Sequence, residues 1–204
     1  MGRVRACGGG LLIRGLVLAG GKSSRFGSNK AVARYQGVLM IERAVSLLNE
    51  LALKPIVVAR RGTDYLFLKC VTIYDKLPDL GPLGGLYTAM TIFKNTSFLV
   101  LTCDMPALTV SVLSELISKH ETPSLITAYS TPDGTAQPFP AIYENTLLSL
   151  IREKLKKGDF SMHDLLSRTS HKTLIPLEGN IKIFTNINYP QELKTLETIR
   201  SPHS

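Results

Sequence analysis

The stretch Leu16–Ala33, LVLAGGKSSRFGSNKAVA, decides how the rest of the chain is read. A short apolar run ending in two glycines reads as a buried strand that turns sharply into a loop. Lys22, Arg25 and Lys30 follow within that loop, set among small residues. Gly20 and Gly21 have no side chain to shield their N–H groups, so the backbone there can approach an anion closely. Arg25 offers a planar fork to phosphate oxygens, and Lys30 a point charge. The Walker pattern GxxxxGK[ST] is not matched, because Leu16 stands where Gly21-Lys22-Ser23 would need the first glycine of the pattern. The dinucleotide pattern GxGxxG is excluded because Gly20 and Gly21 are adjacent. Taken alone, the stretch is either a phosphate cradle or a glycine turn with solvated cations, and Lys22 suits the second.

Outward from this loop, strand-like runs alternate with helix-like ones, the signature of a parallel α/β sheet. The strand candidates are GLVLA from Gly15, PIVVA from Pro55, VTIY from Val71, SFLVLT from Ser97 and SLITAY from Ser124. The first and fourth are apolar on both alternating faces, as strands covered by helices on both sides should be. MIERAVSLLNEL from Met40 places Ile41, Val45, Leu48 and Leu51 on one helical face. Further helices are expected over LGGLYTAMTIF, over TVSVLSELISKH with Thr109 or Ser111 as cap, over NTLLSLIREKLKK ending at Gly158, over SMHDLLSR and over PQELKTLETIR. FPAIY and KTLIPL read as later strands. With no internal repeat and no linker longer than a loop, residues 15–204 form a single three-layer α/β/α domain, and residues 1–14 an extended or frayed start.

The chain has 204 residues, of which 44% are apolar and 20% charged, which excludes a disordered chain. No uncharged apolar run approaches a membrane span. The early arginines and apolar stretch mimic a secretion signal, but Arg14 interrupts the run and cleavage would remove the first strand. Cys7, Cys70 and Cys103 are odd in number and widely spaced, which points to reduced thiols and a cytoplasmic protein. The four histidines have no metal-ligand spacing. A net charge of +8 favours anionic partners. Its scattered distribution, without aromatic interleaving and without Trp, argues for a phosphorylated small molecule over nucleic acid.

Ligands of open parallel sheets sit outside the carboxyl ends of the strands, which selects the loops after Ala19, Ala59, Tyr74 and Thr102. The strand FLVLTCDMPAL delivers Asp104 to its tip. One carboxylate there suits Mg²⁺, which keeps most of its waters; the other reading, a helix cap, fits Thr109 or Ser111 better. Cys103 beside a carboxylate should have a raised pKa and belong to the core. In DKLPDLGPLGGL, Gly81, Gly84 and Gly85 around Pro82 form a turn that opens a helix, so free N–H groups are expected in the cleft. Asp75 and Asp79 can accept hydrogen bonds from a base or sugar, although Asp79 reads more readily as a solvated turn residue. FTNINYPQEL carries Asn186 and Asn188 on one side of a short strand, suited to a phosphate or a hydrated metal, or to turn formation.

The segments LAGGKSSRFGSNK, GPLGGL, CDMP, QPFPAIY and NINYPQEL, in this order and spacing, resemble those of the molybdenum cofactor guanylyltransferases, within the nucleotidyltransferases of GT-A-like Rossmann fold. The resemblance runs from about Gly15 to Leu196. It implies an Mg²⁺-dependent enzyme that joins GTP and molybdopterin cofactor into the guanine dinucleotide form, with release of pyrophosphate. By motif position, Leu18, Ala19 and Gly20 would contact the nucleotide, and Gly21 and Arg25 would lie along its phosphates. Lys30 would neutralise the triphosphate, Asp75 would sit near the guanosine, and Asp104 would bind Mg²⁺. Asn186 and Asn188 would lie near the cofactor phosphate or the metal, with Gln137 and Pro138 bordering the pterin. A recipient molybdoenzyme or other cofactor-biosynthesis proteins would be further partners, with neither nucleic acid nor membrane. Two positions depart from the pattern: Asn29 stands where the family commonly has Asp, and Arg60 where it often has Asn. A sibling using CTP or a sugar phosphate would keep the loop and Asp104, and a non-catalytic nucleotide-binding protein would keep the fold.

Overall fold

In the computed structural model, which describes residues 12–20, 26, 29–77, 79–177 and 181–199, the alternating pattern becomes a sheet between two helical layers. The elements in chain order are β1 (Leu12–Leu18), β2 (Arg34–Tyr35), β3 (Val38–Leu39), α1 (Met40–Glu50), β4 (Ile56–Ala59), β5 (Val71–Tyr74), α2 (Gly81–Ile92), β6 (Thr96–Thr102), α3 (Val110–Ser118), β7 (Ile126–Ser130), β8 (Ala136–Tyr143), α4 (Leu148–Lys156), α5 (Met162–Arg168), β9 (Lys172–Pro176) and α6 (Pro190–Ile199). The main sheet has seven strands in the order β5-β4-β1-β6-β8-β7-β9. All are parallel except β8, which opposes β6 and β7.

Strand alternation sends side chains into two cores. Val17, Val57, Ala59, Leu99 and Leu101 face one layer, with Ile41, Val45 and Leu48 of α1 and Leu113 and Leu116 of α3. Leu16, Leu18, Ile56, Val58, Phe98 and Val100 face the other, with residues of α2, α4 and α5. Each fully buried Leu, Ile, Val or Phe adds about 1.5–3 kcal/mol, so both faces of β1 and β6 drive the same fold. A third, smaller cluster joins Tyr35, Met40, Ile187, Leu193 and Leu196, and seats α6 beside the β2–β3 hairpin.

Three expectations are corrected here. β1 begins at Leu12, not Gly15, because β6 offers a ladder partner along its whole length, from Leu12↔Thr96 to Leu18↔Thr102. Arg14 is tolerated in that strand because its guanidinium lies 4.8 Å from the Phe93 ring centroid and donates to the Lys54 carbonyl at 3.3 Å. Second, the segment of Asn186 and Asn188 is not a strand. It meets the loop after β6 through one backbone bond, from the Ile187 N–H to the Asp104 carbonyl at 2.8 Å, too little for a ladder. Third, Gly84 and Gly85 lie inside α2 and serve packing. A Cβ on Gly84 would stand 2.8 Å from the Leu77 carbonyl oxygen, and one on Gly85 2.9 Å from Leu18 Cδ2. Among the described residues, no helix is long and apolar enough to cross a membrane.

Candidate active site

The carboxyl ends of β1, β4, β5 and β6 meet at one edge of the sheet, since all four are parallel neighbours. A cavity of about 220 Å³ opens there. Of the residues expected from the sequence, Leu18, Ala19, Gly20, Lys30, Asp75, Asp104 and Asn188 line it. Gly81 and Pro82, at the start of α2, complete one wall. Asn186, Gln137 and Pro138 are not among the lining residues. Because β8 runs antiparallel to β6, with Phe98↔Tyr143 and Val100↔Ala141, its first residues still run to the same edge of the sheet. Gly21 and Arg25 lie outside the described residues, as does Lys22.

Lys30 and Asp104 form the charged centre. The Lys30 ammonium donates to Asp104 Oδ2 at 3.0 Å and to Asn188 Oδ1 at 3.3 Å, across sequence separations of 74 and 158 residues. The side chains of Lys30 and Asp104 are 13% and 24% exposed, enough for a ligand to reach them. Asp104 is steadied by Thr102, whose hydroxyl donates to its Oδ1. The loop beyond is held by Arg43, which donates to the Pro106 carbonyl at 3.1 Å and lies over the Tyr35 ring. Thr109 occupies the N-cap position of α3, so Asp104 is left for other work.

Asn188 is placed by the helix that follows. Glu192 Oε2 accepts the N–H groups of Asn188 and Tyr189, at 2.6 and 3.1 Å, which secures the entry to α6. Ile187 is buried between exposed Asn186 and Asn188, so the expected alternation holds without a strand. Asn188 reaches the charged centre by accepting from Lys30.

Asp75 serves the scaffold as well as the cavity. Its Oδ1 accepts from the Leu77 N–H and from the Thr88 hydroxyl, each at 2.9 Å, tying the β5 loop to α2. Asp79 is half-exposed at a positive φ of 74°, with its Oδ1 4.0 Å from Arg60 Nη2. Burial, and then the charge of Asp104, push the Cys103 thiol up to about 12, as expected for a residue packed against the core.

The residues missed by sequence reasoning are the supports: Thr102, Arg43 and Glu192. Glu192 had a local signal, because a Glu at the third position of a proline-started helix commonly turns back to the N-terminus. Thr102 and Arg43 had none, since their roles depend on partners that only the fold supplies.

The arrangement gathers one ammonium, one carboxylate and one amide oxygen at the mouth of a cleft with glycine on its floor, a set suited to a phosphate chain with an associated cation. A family model of the MobA-like NTP transferase domain matches residues 15–173. A Flavobacterium johnsoniae protein named "Probable molybdenum cofactor guanylyltransferase" is 34% identical over 185 residues, covering 88% of this chain and 94% of that one. A Pyrococcus furiosus protein of the same name is 31% identical over 196 residues, covering 92% and 97%. Among solved structures, molybdopterin-guanine dinucleotide biosynthesis protein A from Archaeoglobus fulgidus aligns with a TM-score of 0.76 at 22% identity, covering 91% of this chain and 97% of that one. The 2-C-methyl-D-erythritol 4-phosphate cytidylyltransferase of Thermus thermophilus aligns at 0.66 and 14% identity, covering 90% and 96%. At these identities the two structures speak for the fold alone. From the family match and the relatives above 30% identity, the chain belongs to the MobA-like NTP transferase family.

Proposed function

We propose that this protein transfers GMP from GTP to the terminal phosphate of molybdopterin cofactor, forming the guanine dinucleotide and releasing pyrophosphate, with Mg²⁺ at Asp104. The observation that carries the reading is the convergence of Asp104 Oδ2 and Asn188 Oδ1 on the positive charge of Lys30. A pair of oxygens already gathered around an ammonium suits a hard cation as well. Mg²⁺ characteristically takes one or two protein oxygens and completes its shell with water and substrate phosphates. Among the described residues no group of three or more His, Cys, Asp or Glu is placed to hold a metal. Asp104 and Asn188 would hold Mg²⁺, and when bound it would neutralise phosphate charge and polarise the α-phosphate.

The chain's own residues then have separate tasks. An oxygen of the acceptor phosphate attacks the α-phosphorus of GTP; a new P–O bond forms there, and the bond to the bridging oxygen breaks as pyrophosphate leaves. The acceptor is an anion at neutral pH, so no side chain need remove a proton. Lys30 offsets the charge of the attacking and departing phosphates, and positioning with charge neutralisation supplies most of the rate. The Leu18–Gly20 wall and Asp75 border the nucleoside. Gly21 and Arg25 along the phosphates, Asn186 near the acceptor phosphate, and Gln137 and Pro138 toward the pterin are assigned from sequence position.

The test is pyrophosphate release with Mg²⁺ and GTP, CTP or ATP in turn, each with and without molybdopterin cofactor. Release is expected with GTP only when the acceptor is present. Release with CTP and not GTP would replace the donor, and nucleotide binding without release under any pairing would leave a non-catalytic protein.

A further inference from the structure

The residue before Lys30 is fastened on two sides. Asn29 Oδ1 accepts the Ala31 N–H at 3.1 Å, starting the short 3-10 turn Lys30–Val32. That bond fixes the orientation of the amide and directs Nδ2 to Tyr65, whose hydroxyl accepts from it at 3.1 Å. Tyr65 belongs to the core: it is 1% exposed, and its ring meets Phe67 edge to face. A hydroxyl buried this deeply costs stability unless it is partnered, and the amide of Asn29 supplies the partner. Tyr65 does not line the cavity. Lys30 follows Asn29 directly, on a flexible stem whose reach depends on where its backbone stands.

We infer that Tyr65 is a positioning residue, acting through Asn29 to hold the turn that delivers Lys30 to Asp104 and Asn188. It contacts none of the reacting groups. Its effect on transfer rests on the function proposed above, whereas its effect on the placement of Lys30 does not.

Both halves are tested on the full chain. Each lysine is followed by mass spectrometry during brief reductive methylation of the parent, Tyr65→Phe, Asn29→Ala, the double variant and Asn29→Asp. Lys30 is expected to react at least about threefold faster in Tyr65→Phe and in Asn29→Ala through local opening, with buried Lys154 unchanged. The double variant should react no faster than either single one, because the two residues act through one contact. Asn29→Asp should react no faster than the parent, because a carboxylate can accept from both the Ala31 N–H and the Tyr65 hydroxyl. Pyrophosphate release by Tyr65→Phe should show kcat lowered about tenfold with KM for GTP within about twofold, the signature of a displaced catalytic group. An unchanged Lys30 rate in Tyr65→Phe would overturn the inference whatever the activity. A parallel rise at Lys154 would overturn it too, by assigning Tyr65 to general packing. Faster Lys30 labelling with no release by parent or variant would uphold the positioning and sink the transfer reading.

Discussion

The two edges of the sheet each carry a cluster of charged and polar side chains, and they differ in what the clusters leave open. At the amino edge, His120 Nε2 lies 2.7 Å from Glu144 Oε1 and His120 Nδ1 2.7 Å from the Thr127 hydroxyl, while Ser97 donates to Glu144 Oε2 at 2.7 Å. Ser97 sits at the start of β6, Thr127 at the start of β7, Glu144 just past the end of antiparallel β8 and His120 just past α3, and all four residues are buried. At the carboxyl edge, Lys30, Asp104 and Asn188 come from three loops and face a cavity. Sealing turns a polar cluster into a joint between strands. Exposure to a cleft leaves the same kinds of groups able to exchange partners with a ligand. Residue type alone would rank the histidine–glutamate pair as the better catalytic candidate, and burial reverses that ranking.

The largest expected effect separates the edges directly. Asp104→Ala should lower the rate of GMP transfer by about a thousandfold, the scale of losing charge stabilisation together with the cation proposed to sit there. The thermal midpoint should move little, because the side chain is 24% exposed and its ion pair with Lys30 is partly solvated. Steady-state pyrophosphate release and a thermal melt of the same sample check both halves. Activity within a few-fold of the parent would move the cation site elsewhere.

At the opposite edge the balance inverts. Glu144→Ala should cost about 3 kcal/mol of stability, because it leaves a buried imidazole and a buried hydroxyl without their acceptor. Transfer per folded molecule should stay at the parent value. Urea denaturation gives the first quantity and kcat at low temperature the second. A variant that kept its stability and lost activity would break the division between the edges.

What the sequence disclosed follows the same division between local and distant causes. Strands β1 and β6 were legible because both alternating faces are apolar, and this holds wherever the strand sits in the sheet. The direction of β8 was not, since an apolar strand reads alike in either orientation and its partner lies outside the local sequence. The β2–β3 hairpin, two residues on each side, escaped because its turn carries Gln36 where Asn or Asp would have signalled it. The meeting of Lys30 and Asp104 at one cavity was legible because the strands that precede them, β1 and β6, read as parallel strands whose carboxyl ends share an edge of the sheet. Tyr65 was invisible as a support, because a tyrosine in a loop gives no sign of which residue its hydroxyl will find.

Cys103 sharpens the comparison with the smallest effect on the protein's work. By position it belongs to the carboxyl edge, where it lines the cavity next to Asp104. By chemistry it belongs with the sealed cluster, since burial and the adjacent carboxylate push its pKa from 9.0 to about 12. A thiol raised in this way is uncharged across the neutral range. Its contribution to stability is complete below about pH 9 and is lost as the pH rises toward 12. Alkylation proceeds through the thiolate, so at pH 8 native Cys103 should react with iodoacetamide at least about a hundredfold more slowly than the same residue in urea. Peptide mapping resolves it from the other cysteines. Native labelling as fast as in urea would place a thiolate beside Asp104 and bring Cys103 into the machinery of the open edge. Slow labelling would show that an uncharged, core-packed wall can stand within the cleft and leave its charge to Lys30 and Asp104.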